Sequence, residues 1–422
     1  MARFLSLEDW LNWQEQLHPR PIDLGLERVA NVFRQLNLGR KKNLTITVAG
    51  TNGKGSCVAY LEAIYLAQGY RVGAYTSPHI LRYNERIRIN GQAVADELIC
   101  AAFERIDQLR LTTSLSYFEF STLAALAIFA NAELDIQILE VGLGGRLDAV
   151  NIVDADVGIV STIGLDHIEW LGDNLEQIAV EKAGIFRKDA AAIIGDYQPP
   201  QSLIAVAEQK QAKLMAIGKQ FDYQKKPDGS WNWSSAGQDI LGLPAPALKG
   251  EHQYRNAAAV LMAVQFLQSQ LAVSDRAICQ GLEQVELKGR FQLIADKIPV
   301  LLDVGHNPQA VQTLIEYLQA YYPSVKIHAV FAMMKDKDID GVLKLMQPYV
   351  AEWYLAPLAL PRAANDALLI EKFQQQAIHN LHCGYRDFSA AFSAAQDNAD
   401  EGELILVFGS FFLVSEYLAK LT

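Results

Sequence analysis

Cysteine is scarce: Cys57, Cys100, Cys279 and Cys383 are the only four in 422 residues, none in C-x-x-C spacing. That excludes a disulfide-stapled scaffold and a cysteine metal knuckle, and a reducing cytoplasm is the expected compartment. Long apolar runs are missing too. The longest notable one, residues 123–130, is far short of the ~20 residues of a membrane span. Residues 1–18, from Met1 to His18, include Glu8, Asp9 and Glu15 and no apolar core of leader length, so no signal peptide is expected. Positive charge is in deficit, 37 Lys and Arg against 48 Asp and Glu, for a net charge of −11. Nucleic acid and anionic membranes are therefore disfavoured as partners, and any anion must be bound by local basic residues. There is no internal repeat and no low-complexity tract. What remains is an ordinary globular composition, 50% hydrophobic and 20% charged, in a chain longer than one core usually supports.

Against that background one stretch carries most of the information: L-T-I-T-V-A-G-T-N-G-K-G-S, residues 44–56. The β-branched run 45–48 predicts a buried parallel strand. Residues 57–68, with Val58, Leu61, Ile64, Tyr65 and Leu66 on one side, predict a helix. Between them Gly50, Gly53 and Gly55 let backbone N–H groups converge on an anion, Lys54 adds a point charge, and Ser56 can offer a hydroxyl to Mg²⁺. The general P-loop pattern would place glycine at Val48, so on pattern alone a structural strand-to-helix turn stays open.

Three more strands are predicted at 72–75, 136–141 and 157–161, and each runs into polar residues at its C-terminal end, where open α/β sheets bind ligands. These are T-S-P-H (76–79), Glu140 in E-V-G-L-G-G-R-L-D-A, and Asp166-His167 in T-I-G-L-D-H. A carboxylate beside a glycine turn, as at Glu140, is placed like the second Mg²⁺ ligand of a nucleotide site. Singly, plainer readings compete. His167 alone reads as a satisfied turn residue, and Lys182 as a solvated lysine near the C-terminus of a helix capped by Asn174. The helix opened by D-L-G-L (23–26), after a break at Pro19 and Pro21 and running to about Leu36, reads as a capped surface helix. Ser6 and Asp9 suggest a capping box at an earlier short helix. Helices are predicted at 95–109 and 118–131, the second nearly all apolar and hence buried; residues 221–233 read as a peripheral hairpin around Pro227-Asp228-Gly229, and 257–271 as an apolar helix.

A fresh pattern starts at Val300, with strands at 301–304, 327–331, 352–355 and 404–408 alternating with helices. It holds neither a P-loop nor G-x-G-x-x-G. The expected fold class is thus α/β: a P-loop nucleotide-binding parallel-sheet domain, residues 1–290, followed by a smaller Rossmann-like α/β domain, residues 291–422.

The motifs G-T-N-G-K-G-S, T-S-P-H, Y-N-E-R-I, E-V-G-L-G-G-R-L-D-A, G-L-D-H, E-K-A-G-I, the R-N-A-A turn, L-K-G-R-F and D-V-G-H-N-P span nearly the whole chain. They stand in the order found in folylpolyglutamate synthases, and the chain resembles that branch of the Mur ligase superfamily. D-L-G-L and S-Y-F-E (116–119) further resemble the dihydropteroate-binding parts of the bacterial bifunctional dihydrofolate synthase/folylpolyglutamate synthase. One departure is Val150, where the family usually carries threonine in D-A-T-N.

The resemblance implies an ATP-dependent ligase that joins L-glutamate to 7,8-dihydropteroate and to reduced folates through an acyl phosphate. The alternative is a monofunctional folylpolyglutamate synthase. It implies ATP contacts from Thr51, Asn52, Gly53, Lys54, Gly55, Ser56, Asn256, Arg290 and Asp303. Mg²⁺ ligands would be Ser77, Glu140 and His167, with a monovalent cation as a further option. Catalytic roles fall to Lys54, Lys182 and His306, with Lys182 carried as a carbamate. Asp23, Leu24, Gly25, Leu26, Ser116, Tyr117, Phe118, Glu119, Leu147, Asp148 and Ala149 would bind the pterin end. Arg82, His306 and Ser410 would handle glutamate or its carboxylates. A cytoplasmic monomer acting on small molecules, with no nucleic acid or membrane partner, is the corresponding expectation. Two rivals share parts of the pattern. A ligase acting on UDP-muramyl peptides usually has an N-terminal UDP-binding domain ahead of its phosphate loop, whereas here the loop begins by residue 50. A P-loop switch or ATPase would leave D-V-G-H-N-P and the pterin-like segments without a purpose.

Overall fold

The computed structural model describes residues 3–20, 22–38 and 43–421; Met1 and the break at Pro21 lie outside the described residues. The chain divides into two compact units. The first comprises residues 1–164, 171–247 and 254–285, and the second residues 165–170, 248–253 and 286–422.

In the first unit α1 (Leu7–Leu17) starts at Ser6, whose Oγ accepts the Asp9 N–H at 3.1 Å, and α2 (Glu27–Leu36) follows the D-L-G-L segment rather than including it. The central strand β1 (Leu44–Ala49) leads into α3 (Lys54–Gln68). There follow β2 (Val72–Tyr75), β3 (Ile87–Ile89), β4 (Gln92–Ala93), α4 (Asp96–Arg110), α5 (Tyr117–Asn131), β5 (Ile136–Glu140) and β6 (Val157–Val160). Then come α6 (Ile168–Leu171), most of which groups with the second unit, and, back in the first, α7 (Leu175–Ala183), β7 (Ala191–Ile194), α8 (Gln201–Gln209) and β8 (Lys213–Ala216). The eight strands lie in the order β4-β3-β2-β5-β1-β6-β7-β8. β1 pairs in parallel with β5 and β6, while β3 and β4 are an antiparallel edge that the sequence reading passed over as polar loop. Burial of residues 45–49 of β1 on both faces explains its unbroken β-branched run.

α5 is buried along 119–129, as its apolar run predicts, and through Leu123 and Phe129, together with Phe103 of α4, seals one flank of the sheet. Each such side chain contributes about 1.5–3 kcal/mol of burial. Its first turn takes in Tyr117, one residue earlier than expected, because Ser116 and Glu119 form a capping box. The expected hairpin gains a third strand: β9 (Phe221–Lys225), β10 (Trp231–Ser235) and β11 (Gln238–Leu243) form an antiparallel sheet. α9 (His252–Phe266) begins earlier and ends earlier than the apolar run implied, so that Tyr254, Arg255 and Asn256 lie in its opening turns; α10 (Asp275–Gln284) follows and lies against α3.

The second unit holds β12 (Gln292–Ile294), β13 (Val300–Asp303), α11 (Pro308–Tyr321), β14 (Ile327–Phe331), α12 (Ile339–Met346), β15 (Glu352–Leu355), α13 (Asp366–Gln375), β16 (Leu381–His382), α14 (Phe388–Asn398), β17 (Leu404–Phe408) and α15 (Phe411–Ala419). Its six-stranded sheet runs β12-β13-β17-β14-β15-β16, parallel except for β12. Leu301, Leu314, Phe331, Trp353, Phe373 and Phe408 belong to its own core. No helix among the described residues is long and apolar enough to cross a membrane.

Candidate active site

The turn between β1 and α3 is held from beneath by the residues that follow β6. The Thr51 N–H donates to Thr162 O at 2.8 Å, and the Asn52 N–H to Thr162 Oγ1 at 3.2 Å. Ser161 and Thr162 hydroxyls donate to Asn52 O at 2.6 and 3.1 Å, and Thr51 Oγ1 exchanges hydrogen bonds with the backbone of Gly164. Gly53 opens α3 with φ +88°, and a Cβ there would stand 2.7 Å from Asn256 Oδ1. Only glycine fits this turn, and its need places Asn256 over the loop. Lys54 Nζ is folded back onto Gly50 O (2.9 Å) and Thr51 O (3.2 Å). Lys182, 5% exposed near the end of α7, also donates to Gly50 O, at 3.0 Å. A surface lysine is excluded at that position: the two ammonium groups share one carbonyl. Arg146 N–H donates to Glu181 O at 2.7 Å, which ties the turn after β5 to the end of α7.

Ser77 and Glu140 are neighbours. Glu140, 5% exposed at the end of β5, accepts the Ser77 N–H at 2.9 Å, and the Ser77–Pro78 peptide is cis. A serine hydroxyl and a carboxylate are the hard oxygen donors that Mg²⁺ takes, an ion that keeps several waters and bridges to phosphate oxygens. No group of three or more His, Cys, Asp or Glu suited to a metal occurs among the described residues.

The three segments expected at the pterin end come together. Gly25 N–H donates to Leu147 O (3.3 Å), Arg28 pairs with Asp23 (2.8 Å) and Glu119 (3.2 Å), and the Phe118 ring lies so close to Gly142 that a Cβ there would meet it at 2.6 Å. The side chains divide the labour. Asp23 is engaged by His18 and Arg28, Glu119 by Arg28 and the Ser116 N–H, and Ser116 caps α5. These three brace the segments, while Leu24, Leu26, Tyr117, Phe118 and Leu147 are half-buried apolar side chains and Ala149 is buried in the core. Asp148, like Glu119, is a buried carboxylate. Burial pushes its carboxyl up to about 7, against backbone hydrogen bonds from Leu143, Val150 and Gly142 and the Lys54 charge.

In the second unit, Asp303 ends β13 and accepts N–H groups from Gly305 (2.7 Å) and Phe291 (3.4 Å); burial raises its carboxyl, opposed by Arg290. The Arg290 guanidinium lies 5.0 Å from the Phe411 ring centroid, and Ser410 caps α15. His306 places Nδ1 2.9 Å from Val304 O and Nε2 3.6 Å from Asp166. His167, at φ +52°, and Asp166 group with this unit, where Lys337 Nζ lies 2.7 Å from Asp166 Oδ1 and 3.2 Å from His167 Nε2. Burial alone would raise the Asp166 carboxyl; the His306 hydrogen bond and the His167, Lys337 and His306 charges hold it far below the usual carboxylate range.

Two positively charged side chains, one in each unit, were missed in the sequence reading. Arg82 is 72% exposed and reaches Asp96 at 3.4 Å, whereas Arg86 of the same motif is the buried one, donating to His79 Nδ1 at 2.8 Å between the rings of Tyr83 and Tyr117. Lys337 follows the C-terminal end of β14, a position that the strand-end rule would have flagged.

Comparison with known proteins agrees with this geometry. The family model "Mur ligase middle domain" matches residues 48–264, and "Mur ligase, glutamate ligase domain" matches residues 289–411. The dihydrofolate synthase/folylpolyglutamate synthase of Escherichia coli (strain K12) is 42% identical over 98% of this chain and 94% of its own. The structure of E. coli FolC in complex with DHPP and ADP superimposes with a TM-score of 0.93 at 41% identity, over 99% of this chain and 98% of that one. A bifunctional folylpolyglutamate synthase/dihydrofolate synthase with Mn, AMPPNP and L-glutamate bound gives 0.90 at 41% identity, over 99% and 98%. The chain belongs to the Mur ligase superfamily, in its dihydrofolate synthase/folylpolyglutamate synthase family.

Proposed function

We propose that this chain ligates L-glutamate to 7,8-dihydropteroate and to reduced folates at the expense of ATP, in folate biosynthesis. The observation that carries the reading is the convergence of the three pterin segments, through Gly25–Leu147 and Arg28–Glu119, on a turn tied to the phosphate loop. A purely nucleotide-driven switch has no use for that convergence. In the reaction a substrate carboxylate oxygen attacks the γ-phosphorus and the bond to ADP breaks, leaving an acyl phosphate. The glutamate amine then adds to the acyl carbon, loses its proton, and phosphate departs. Negative charge grows first on phosphoryl oxygens and then on a tetrahedral carbon, so preorganised donors are needed at both places.

Gly53 to Ser56 would cradle the triphosphate with backbone N–H groups at the start of α3, Thr51 and Asn52, whose own N–H groups are taken by Thr162, would shape the turn around it, and Lys54 would leave Gly50 O and Thr51 O for the γ-phosphoryl oxygens. Asn256, Arg290 and Asp303 are assigned to the nucleotide, and His306, Ser410 and Arg82 to glutamate, by the family motifs. Of these last three Arg82 is the least suited, being exposed and paired with Asp96. A divalent metal, for which Mg²⁺ is proposed with Ser77, Glu140 and His167 as ligands, supplies neutralisation of phosphate charge. We assign Lys182 a carbamate: buried and sharing Gly50 O with Lys54, its amine would otherwise be a cation beside a second cation and the metal ligands. We infer a cytoplasmic monomer acting on small molecules; its net charge of −11 supports the reading that neither nucleic acid nor an anionic membrane is a partner.

The test is product analysis with dihydropteroate and with tetrahydrofolate in separate reactions. Both should gain glutamate with stoichiometric ADP release that depends on glutamate. Extension of folate without conversion of dihydropteroate would leave the monofunctional alternative.

A further inference from the structure

β3 runs beside β2 with Arg88 at its centre, and that side chain reaches α3, the helix that the phosphate loop opens. Its Nε lies 3.2 and 3.0 Å from the two oxygens of Glu62, and Nη2 lies 2.7 Å from Oε2, both side chains being largely buried. The remaining nitrogen, Nη1, donates to Thr76 Oγ1 at 3.0 Å and to Glu85 O at 2.8 Å. Thr76 precedes Ser77, whose N–H is bound by Glu140. At the other end of the same loop the Glu85 carboxylate collects the N–H groups of Ile80 (2.8 Å), Leu81 (3.0 Å) and Arg82 (2.9 Å).

A buried ion pair adds little net stability, since desolvation offsets its Coulomb gain, and a lysine would serve Glu62 as a point charge. Only the planar fork of arginine can hold Glu62 with one edge and the Ser77 loop with the other. We propose that Arg88 is a positioning residue that ties the phosphate-loop helix, through Glu62, to the loop bearing Ser77, and so fixes the site where Ser77 and Glu140 receive a divalent metal. This rests on the reading of Ser77 and Glu140 as metal ligands. Loss of the Thr76 contact leaves the Glu62–Arg88 pair intact but lets the Ser77 loop move relative to the phosphate cradle.

The experiment measures free Mn²⁺ by electron paramagnetic resonance during titration of the full-length protein with ADP present, so no turnover is required. Thr76→Val and Arg88→Lys remove the second edge of the fork, Thr76→Ser restores the hydroxyl, and Ser77→Ala is the reference for the metal site. Thr76→Val and Arg88→Lys should weaken Mn²⁺ binding roughly tenfold, the scale of one lost hydrogen bond. Thr76→Ser should bind as wild type, and the Thr76→Val melting temperature should move by less than about 2 °C. Wild-type Mn²⁺ affinity in Thr76→Val and Arg88→Lys, with Ser77→Ala weakened, overturns the positioning role alone. Weakened binding that Thr76→Ser does not restore, or that accompanies a collapse of the melting temperature, also overturns it. If Ser77→Ala too binds as wild type, the metal assignment fails and the proposal falls with it.

Discussion

Gly53→Ala is the substitution whose cost can be worked out most fully. At φ +88° an alanine is strained by about 1–2 kcal/mol. Its Cβ would also stand 2.7 Å from Asn256 Oδ1 and 3.3 Å from Asn256 Cγ, so the amide must turn away. If Asn256 contacts the nucleotide, losing that contact adds roughly 0.5–1.5 kcal/mol. The ligand-free alanine loop relaxes away from this φ, so binding must restore the strained turn, and the two together weaken ADP binding by about 10- to 300-fold. Calorimetric titration with ADP and Mg²⁺ measures this directly, and the same substitution made in an Asn256→Ala background separates the two causes. There only the backbone strain remains, and the loss should shrink to about 5- to 30-fold. Binding within threefold of wild type, or an undiminished loss in the Asn256→Ala background, would refute the reasoning.

Lys54→Ala should lower turnover by roughly 10²-fold or more, the scale of one preorganised donor, with near-normal acyl-phosphate formation contradicting the assignment. Lys182→Ala should be nearly inactive and Lys182→Glu partly active, and activity lost on CO₂ depletion should return with bicarbonate; full activity without CO₂ would exclude the carbamate. Gln14 is 1% exposed and neither of its amide atoms has a partner, so Gln14→Leu should stabilise the protein by about 1–2 kcal/mol; a lower melting temperature would contradict this. The Asp23 carboxyl is held below its ordinary 3.8 by the His18 hydrogen bond, against burial, with Arg28, His18 and Arg20 adding charge. Its folded value being depressed, its contribution is complete above about pH 4 and lost as the pH falls further, so Asp23→Asn should flatten the acid limb of the melting-temperature profile.

Much of this was legible because the chemistry sits at strand ends. The β-branched run into G-T-N-G-K-G-S read as a strand and a glycine turn suited to an anion, although its pattern alone left a structural turn open, and Glu140 stood out as a carboxylate after a second apolar strand. The antiparallel edge β3–β4 was hidden, because Arg86 and Arg88 in R-Y-N-E-R-I-R-I-N-G look like solvent-facing charges until Tyr117 and Glu62 are brought to them from elsewhere in the chain and the nearby His79 and Tyr83 fold against Arg86. Lys182 was misleading for the same reason: helix position alone places a late lysine in solvent, while the close approach of α7 to the turn after β5 buries it. Asp23, Ser116 and Glu119 lie in segments that the fold does bring together, yet motif reading could not distinguish a side chain engaged by protein partners from one left for a ligand. That distinction needed their partners.

The account stands or falls on the acyl phosphate. With dihydropteroate labelled by ¹⁸O in its carboxylate, the attacking oxygen stays with phosphorus when glutamate displaces phosphate. One ¹⁸O should therefore appear in each inorganic phosphate released, and only when glutamate and ATP are both present. Product amide formed at the normal rate with unlabelled phosphate would contradict the mechanism.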